Sequence, residues 1–383
     1  MMREVFIVSD NIISPLGFTT EKNFYQLRQN KSAIECHIGA KFSAQPFYAS
    51  LLSDEQNDTL NNAGVNGEFT KFEKLLINSI KDAVMNTEVD VASAETIVII
   101  STTKGNISLL ETEANSPRLQ QRIALHNSAR VVAEHFKNPN KPVVVSNACI
   151  SGLTAMLTGK RLIQSGKFRH AVVAGADVIS KFILSGFQSF QAVSDKPCRP
   201  FDANRNGVTL GEAAATVVLS SGTSGNQKVK FLSGAVSNDA NHISGPSRTG
   251  EELCIAVNKS LKQAGLAASD IGFVSAHGTA TIYNDEMEAK AFSLANLEAV
   301  PVNSLKGYYG HTLGAAGIVE SIVSIHALQS DIILPTAGFE RSGVSSPINI
   351  CDHLQPVKGA AILKTASGFG GCNAALVFQK SYS

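Results

Sequence analysis

Charge of one sign is missing from this sequence: 33 Lys and Arg against 32 Asp and Glu leave a net charge of +1. No global field is available to hold nucleic acid or a membrane surface, so an acidic partner has to be met by a local basic patch. Long apolar runs are missing too. None reaches membrane-spanning length, and the opening MMREVFIVSDNIISPLG has too short an apolar stretch and too early an acidic residue for a secretory signal, which points to the cytoplasm. The six cysteines, Cys36, Cys149, Cys198, Cys254, Cys351 and Cys372, lie far apart without a CxxC pair, so neither a zinc site nor a disulfide framework is indicated. No glycine-rich phosphate loop or metal-ligand spacing stands out, and neither metal nor cofactor is expected.

What is present is a large apolar fraction, 44% against 17% charged, which suffices for one large core or two fused ones. Residues 5–8 read as a strand closed by Ser14-Pro15-Leu16-Gly17, with a helix expected near 20–29 and an irregular loop over 36–67. Residues 69–85 carry Phe72, Leu75, Leu76, Ile80 and Ala83 at helical spacing, with Lys71 and Lys74 on the other side. A strand at 97–100, a helix over 124–136, and strands at 143–145, 171–175 and 213–219 follow. The stretch SSGTSGNQ, 220–227, is the best linker. Beyond it come strands at 229–235 and 271–276, helices at 250–264 and 315–329, and a closing strand-loop-strand around SGFGGCN. Both halves alternate strands and helices, which suggests a duplicated α/β unit divided into 1–227 and 228–383.

The centre of the chain is 141–166, KPVVVSNACISGLTAMLTGKRLIQSG. A β-branched run feeds a small-residue turn carrying Cys149, and a helical pattern follows until Gly166. A thiol at a strand-to-helix turn has the first helical amides and the helix dipole to favour its thiolate, and such positions lower a pKa of about 8.5 to roughly 3.5–7.5. The competing reading is a buried structural cysteine. Two histidines sit beside small residues at element ends: His277 in SAHGTATIYND and His311 in LKGYYGHTLGAAGIVE. Each alone also fits a satisfied core histidine, but neutral imidazoles at such places can donate to a carbonyl oxygen, as stabilising an enolate requires.

At these residues the sequence resembles the β-ketoacyl-acyl carrier protein synthases, the elongating condensing enzymes of the thiolase fold. The resemblance runs over nearly the whole chain through SPLG, NACISG, RPFDANRNG, LGEAAA, HGTAT, LKGYYGHTLGAAG and SGFGGCNAALVF, in order. It implies two pseudo-symmetric α/β halves packed as an α-β-α-β-α sandwich, and a Cys-His-His enzyme working by decarboxylative Claisen condensation with malonyl-carrier protein. Cys149 would carry the acyl chain, His277 and His311 would stabilise the enolate, and Lys306 and Glu320 would organise the site or serve as an ion-pair scaffold. Phe369 matches the gating phenylalanine, its N–H and that of Cys149 forming an oxyanion hole. Asp285 and Asn373 match residues that hold the HGTAT and glycine-rich loops. Arg205 matches a position near the carrier-protein mouth and, with Lys71 and Lys74, would form the local basic patch. The partner implied is acyl carrier protein with its phosphopantetheine arm. A dimer is implied as well, through residues 143–145, with a homodimer expected and a heterodimer open. A non-catalytic partner subunit of the chain-length-factor kind and a thiolase acting on coenzyme A esters are the alternatives. Two departures bear on substrate: Lys104 in STTKGNIS stands where the family has glycines and a small or aliphatic tunnel floor, and the segment from Lys104 to Cys149 is short. Both suggest short, unsaturated or polar acyl primers, as in a specialised polyene or pigment-type pathway, with housekeeping fatty-acid elongation as the alternative, unless Lys104 turns outward or pairs with Glu111 or Glu113.

Overall fold

A computed structural model describes residues 3–38, 42–63, 67–85, 87–222, 229–240 and 245–381. Its main sheet contains β1 (Phe6–Ile13), β2 (Thr96–Ser101), β3 (Val143–Val145), β4 (His170–Asp177), β5 (Ala213–Ser220), β6 (Val229–Asn238), β7 (Ile271–Ser275), β8 (Pro301–Asn303), β9 (Asn349–Ile350), β10 (Ala361–Gly368) and β11 (Cys372–Lys380). Their order across the sheet is β3-β2-β4-β5-β1-β6-β11-β10-β7-β8-β9. The first five strands lie as 3-2-4-5-1, and β6, β7, β8, β10 and β11, ranked in chain order, repeat that arrangement. The directions repeat too. In each array the strand ranked second runs parallel to its neighbours ranked third and fourth, and the remaining pairings are antiparallel. Among the described residues the strands of the two arrays pair where Phe6 and Ile7 of β1 face Lys230 and Val229 of β6. This is the duplicated thiolase-type architecture.

The helices used below are α1 (Lys71–Met85), α2 (Leu125–His135), α3 (Ser151–Gln164), α4 (Lys181–Ser189), α5 (Glu251–Ala264), α6 (Ile282–Leu294), α7 (Lys306–Tyr309) and α8 (Ala316–Gln329). Apolar residues on nearly every face of α8, from Ile318 to Leu328, require burial all round, and α8 pairs with α3 in the middle of the molecule. Each of these two helices touches strands of both arrays. The amphipathic α1 and α2 cover the outer face of the first array, and α5 and α6 face the second. Close approach of the central pair depends on two glycines. A Cβ on Gly152 would lie 2.8 Å from the Ile318 nitrogen, and one on Gly317 would lie 2.8 Å from the Leu153 nitrogen.

The helix expected over 124–136 is present as α2, and the extended backbone of Ala124 (φ −69°, ψ 122°) separates it from a further short helix, Pro117–Ile123, that was not expected. Helix α6 was not expected: its buried side holds Asn284, Asp285 and Glu288 beside Met287 and Phe292, so polar residues interrupt the apolar period. The boundary between 227 and 228, and most of the linker, fall in 223–228, outside the described residues.

Gly152→Ala is expected to destabilise the protein by about 1–3 kcal/mol through overpacking of α3 on α8. Equilibrium urea unfolding checks this, and an unchanged midpoint would mean that the helices can part without cost.

Candidate active site

The two arrays place their reactive turns at equivalent positions. Cys149 follows β3, the third-ranked strand of the first array, and precedes α3; His311 follows β8 and the single turn α7, and precedes α8. His277 lies just beyond β7. Three non-glycine residues with left-handed backbone flank them: Ala148 (φ 44°), Ala280 (φ 62°) and Leu313 (φ 53°). Such conformations cost on the order of 1–3 kcal/mol each and concentrate where surrounding structure enforces a functional geometry. Gly310 (φ 66°) enters the His311 turn, and a Cβ there would lie 2.5 Å from the Leu210 carbonyl oxygen. Sγ of Cys149 and one ring nitrogen of each histidine lie within 4.8 Å of one another. The imidazole rings meet edge to face at 5.2 Å.

Cys149 does not have the lowered pKa expected of it. Burial pushes its thiol up to about 12, against the Lys306 ammonium, the Phe369 N–H donated to the sulfur and the Lys104 charge, while nearby Cys372 adds to the rise. The helix start gives less help than the sequence suggests, because its first amides are already engaged: the Ile150 N–H donates to the Asn147 carbonyl at 3.2 Å and the Ser151 N–H to that of Ala148 at 3.2 Å.

Both histidines are buried and held well below the usual imidazole pKa, first by burial and then by the Lys306 charge, so they are neutral at pH 7. Their tautomers follow from their partners. Lys306 Nζ donates to His277 Nδ1 at 3.2 Å, and the Leu313 N–H donates to His311 Nδ1 at 3.3 Å. Each ring therefore carries its proton on Nε2. His311 Nε2 is buried without a partner among the described residues, in the wall of a cleft of about 410 Å³ that Cys149 and His277 also line.

Lys306 and Glu320 form an ion pair at 2.6 Å (Nζ to Oε1), both side chains buried. Sequence reasoning missed Lys364, fully buried on β10, which meets Glu320 Oε2 at 2.6 Å. A lysine inside the apolar run AILKTA was the available signal. Glu288, one turn beyond Asp285 on α6, was also missed; it accepts the His277 N–H at 2.8 Å and the Gly278 N–H at 2.6 Å. Asp285 accepts the Thr279 N–H at 3.0 Å and the Phe201 N–H at 2.7 Å, and burial raises its pKa to about 7. Asn373 accepts the Ser367 hydroxyl at 2.7 Å and donates to the Gly371 carbonyl at 3.1 Å, spanning the glycine-rich loop.

At the cleft mouth Phe369, 37% exposed, packs against Phe187 and Phe190 with ring centroids 5.7 and 5.4 Å away, two aromatic partners absent from the sequence reading. Lys104 is half-buried, with no ion pair to Glu111 or Glu113 among the described residues. The expected patch of Lys71, Lys74 and Arg205 is not a set of free charges. Lys71 neutralises buried Glu212 at 2.7 Å, and the buried Arg205 guanidinium donates to the Asp202 and Gly343 carbonyls and lies 3.8 Å from Asp285. Buried carboxylates claim both cations. Lys74 bonds only the neutral Asn61 amide oxygen among the described residues.

Comparison with known proteins agrees with this arrangement. Residues 2–224 match the model of the β-ketoacyl synthase N-terminal domain and residues 230–340 that of the C-terminal domain. A 3-oxoacyl-[acyl-carrier-protein] synthase 2 of Vibrio cholerae is 27% identical over 416 residues, covering 99% of both chains. The Rhizobium meliloti protein of the same name is 32% identical over 266 residues, 65% of this chain and 62% of its own. Among solved structures, the ishigamide ketosynthase/chain length factor superposes over the full length of both chains with a TM-score of 0.88 at 24% identity, a likeness of fold. With both of its halves matched, the chain belongs to the β-ketoacyl synthase family, whose members are acyltransferases.

Proposed function

We propose that the cleft loads an acyl group onto Cys149 and condenses it with malonyl-acyl carrier protein in a decarboxylative Claisen reaction. The observation that carries this reading is the use of both imidazole Nδ1 atoms as acceptors, which leaves two Nε2–H donors beside one thiol. In the first half-reaction the sulfur of Cys149 bonds to the acyl carbon, the carrier's carbon–sulfur bond breaks, and the thiol proton leaves with the carrier thiol. In the second, the malonyl carboxylate departs as CO₂, and its electron pair passes into an enolate whose oxygen accepts from His277 and His311. The enolate carbon attacks the Cys149 thioester, and the released thiolate regains a proton from water. The donors strengthen as negative charge develops, so they stabilise the transition state more than the substrate. The N–H groups of Cys149 and Phe369 serve the oxygen of the tetrahedral intermediate, and Phe369 with its two aromatic neighbours gates the mouth.

The carrier's phosphopantetheine arm enters the cleft past Phe369, and Lys74 is the member of the basic set best placed to meet an acidic carrier. No helix among the described residues is long and apolar enough to cross a membrane, and six free cysteines suit a reducing compartment, which we take to be the cytoplasm. The half-exposed Val143–Val145 edge of β3 supports a two-fold dimer that continues the sheet, either with a second copy or with a paralogue. Lys104, whose charge reaches Cys149, supports short, unsaturated or polar primers in a specialised chain-elongating pathway rather than long saturated ones.

Cys149→Ala is expected to abolish condensation, whereas Cys149→Gln retains or raises CO₂ release from malonyl-carrier, its amide standing in for the acylated thiol. Radiolabelled CO₂ release reads both, and condensation by the alanine variant would remove Cys149 as nucleophile. A wild-type chain that neither releases CO₂ nor takes acyl label on Cys149 would point instead to a non-catalytic partner subunit. Intact-mass competition between short or polyunsaturated and long saturated acyl carriers should show the former loading first; equal or faster loading of long saturated chains would defeat the primer assignment. Sedimentation at micromolar concentration is expected to give a dimer, and a monomer alone would count against pairing through β3.

A further inference from the structure

Lys364 belongs to no part of the reaction derived above, yet it is among the largest fully buried side chains of the molecule. Its surroundings consist of oxygen. Nζ lies 2.6 Å from Glu320 Oε2 and donates to the carbonyl oxygens of Ser275 at 3.2 Å and Ala276 at 3.0 Å, with the Glu288 carboxylate also supporting its charge. Ser275 and Ala276 are the two residues immediately ahead of His277. The placement is fixed by the sheet, since β10 runs parallel to β7 with Lys364 in register with Ser275.

Lys364 therefore reaches His277 by two routes. One is the backbone, through the carbonyls of Ser275, the last residue of β7, and of Ala276 just after it. The other is a chain of charges: Lys364 holds one oxygen of Glu320, the other oxygen holds Lys306 at 2.6 Å, and Lys306 donates to His277 Nδ1 at 3.2 Å. We propose that Lys364 is a positioning residue for the condensation, a built-in cation that fixes Glu320 and the end of β7 and so aims the His277 Nε2–H at the malonyl thioester. This inference rests on the condensing reading of the cleft.

The charged and titratable groups around the two imidazoles come from every element packed on them: Cys149 ahead of α3, Lys306 of α7, Glu320 of α8, Lys364 of β10, and Asp285 and Glu288 of α6. Asp177 of β4 accepts the Gly314 N–H at 2.7 Å beside the His311 turn, and Lys104 lies beyond Cys149. Glu320 stands between two ammonium groups, so the second of these leaves the immediate surroundings of the histidines more positive than a single Lys306–Glu320 pair would. That charge helps keep both rings unprotonated, after burial and Lys306. Deleting it makes protonation easier, which destroys the Nδ1 acceptor sites and releases both rings from their partners.

The test compares the full-length wild type with Lys364→Met, which keeps the length of the side chain and removes its charge, and with Lys364→Gln, which keeps a donor for the two carbonyls. Imidazole ¹⁵N NMR titration follows His277 and His311, and CO₂ release from malonyl-carrier is measured from pH 5 to 8. Both histidines are expected to titrate higher in the variants by about one pH unit, and the acid limb of CO₂ release should move up with them. At pH 7 release should fall about tenfold in Lys364→Met and less in Lys364→Gln, the first corresponding to about 1.4 kcal/mol of barrier. Unmoved titrations and an unmoved acid limb would overturn the proposal even if activity fell, because a purely structural lysine lowers activity equally at every pH. Should Lys364→Met not fold, Lys364→Gln carries the comparison alone. A wild type that releases no CO₂ would overturn the condensing reading and with it the role of Lys364 in condensation, whereas unmoved titrations in a wild type that does release CO₂ would overturn the role of Lys364 alone.

Discussion

The carboxylate of Glu320, shared between two buried ammonium groups, is the interaction on which the rest of the site depends. Lys306 arrives from the turn after β8, Lys364 from the middle of β10 and Glu320 from the second turn of α8, so one anion ties together three elements of the second array. Neither lysine could remain charged in that interior without a counter-ion, and removing one member of such a network typically costs about 3–5 kcal/mol. The arrangement does more than hold itself together. Its free valence is the Lys306 proton donated to His277, which selects the tautomer with its proton on Nε2.

The duplication explains how three distant stretches of chain converge. Each array sends the turn after its third-ranked strand toward the shared helical layer, so Cys149 and His311 approach from opposite sides of a pseudo-two-fold axis. Gly152 and Gly317 let α3 and α8 draw close enough to bring the two turns together. The left-handed residues at Ala148, Ala280 and Leu313 are the local cost of turning the chain so sharply at these points, and the central packing offsets it.

Much of this was legible in the sequence, and the limits have physical causes. Strand and helix periods exposed the alternation of elements in both halves, because sheets buried on both faces leave continuous apolar runs such as Ile97 to Ile100. Cys149 and both histidines stood out through small neighbours at element ends. Helix α6 was hidden because the residues that brace the HGTAT loop, Asp285 and Glu288, occupy the face that would otherwise carry the apolar stripe. Lys364 was hidden because its partner lies 44 residues away in sequence and on another element, and only the packing of α8 on β10 places them together. The basic patch failed for the opposite reason: Lys71 and Arg205 look like surface cations until Glu212 and Asp285 are seen buried beneath them. The acidity of Cys149 was misjudged first because a strand-to-helix turn does not reveal how deeply its thiol is buried, and then because it does not reveal whether its amides are free.

The position of β3 bears on the proposed pairing of this protein with a second chain. It is a three-residue strand at the end of the sheet, hydrogen-bonded among the described residues on one side only, and Cys149 stands four residues beyond its last valine. A chain that pairs with the open side stiffens the support of the thiol directly, with no long path between interface and reacting atom. If a partner pairs there and Cys149 is acylated as proposed, association and thiol reactivity are linked equilibria: whatever free energy a partner contributes to holding the turn in its reactive geometry, acylation returns as tighter association. Substrate loading and subunit exchange would share one thermodynamic cycle, with three valines as the coupling element.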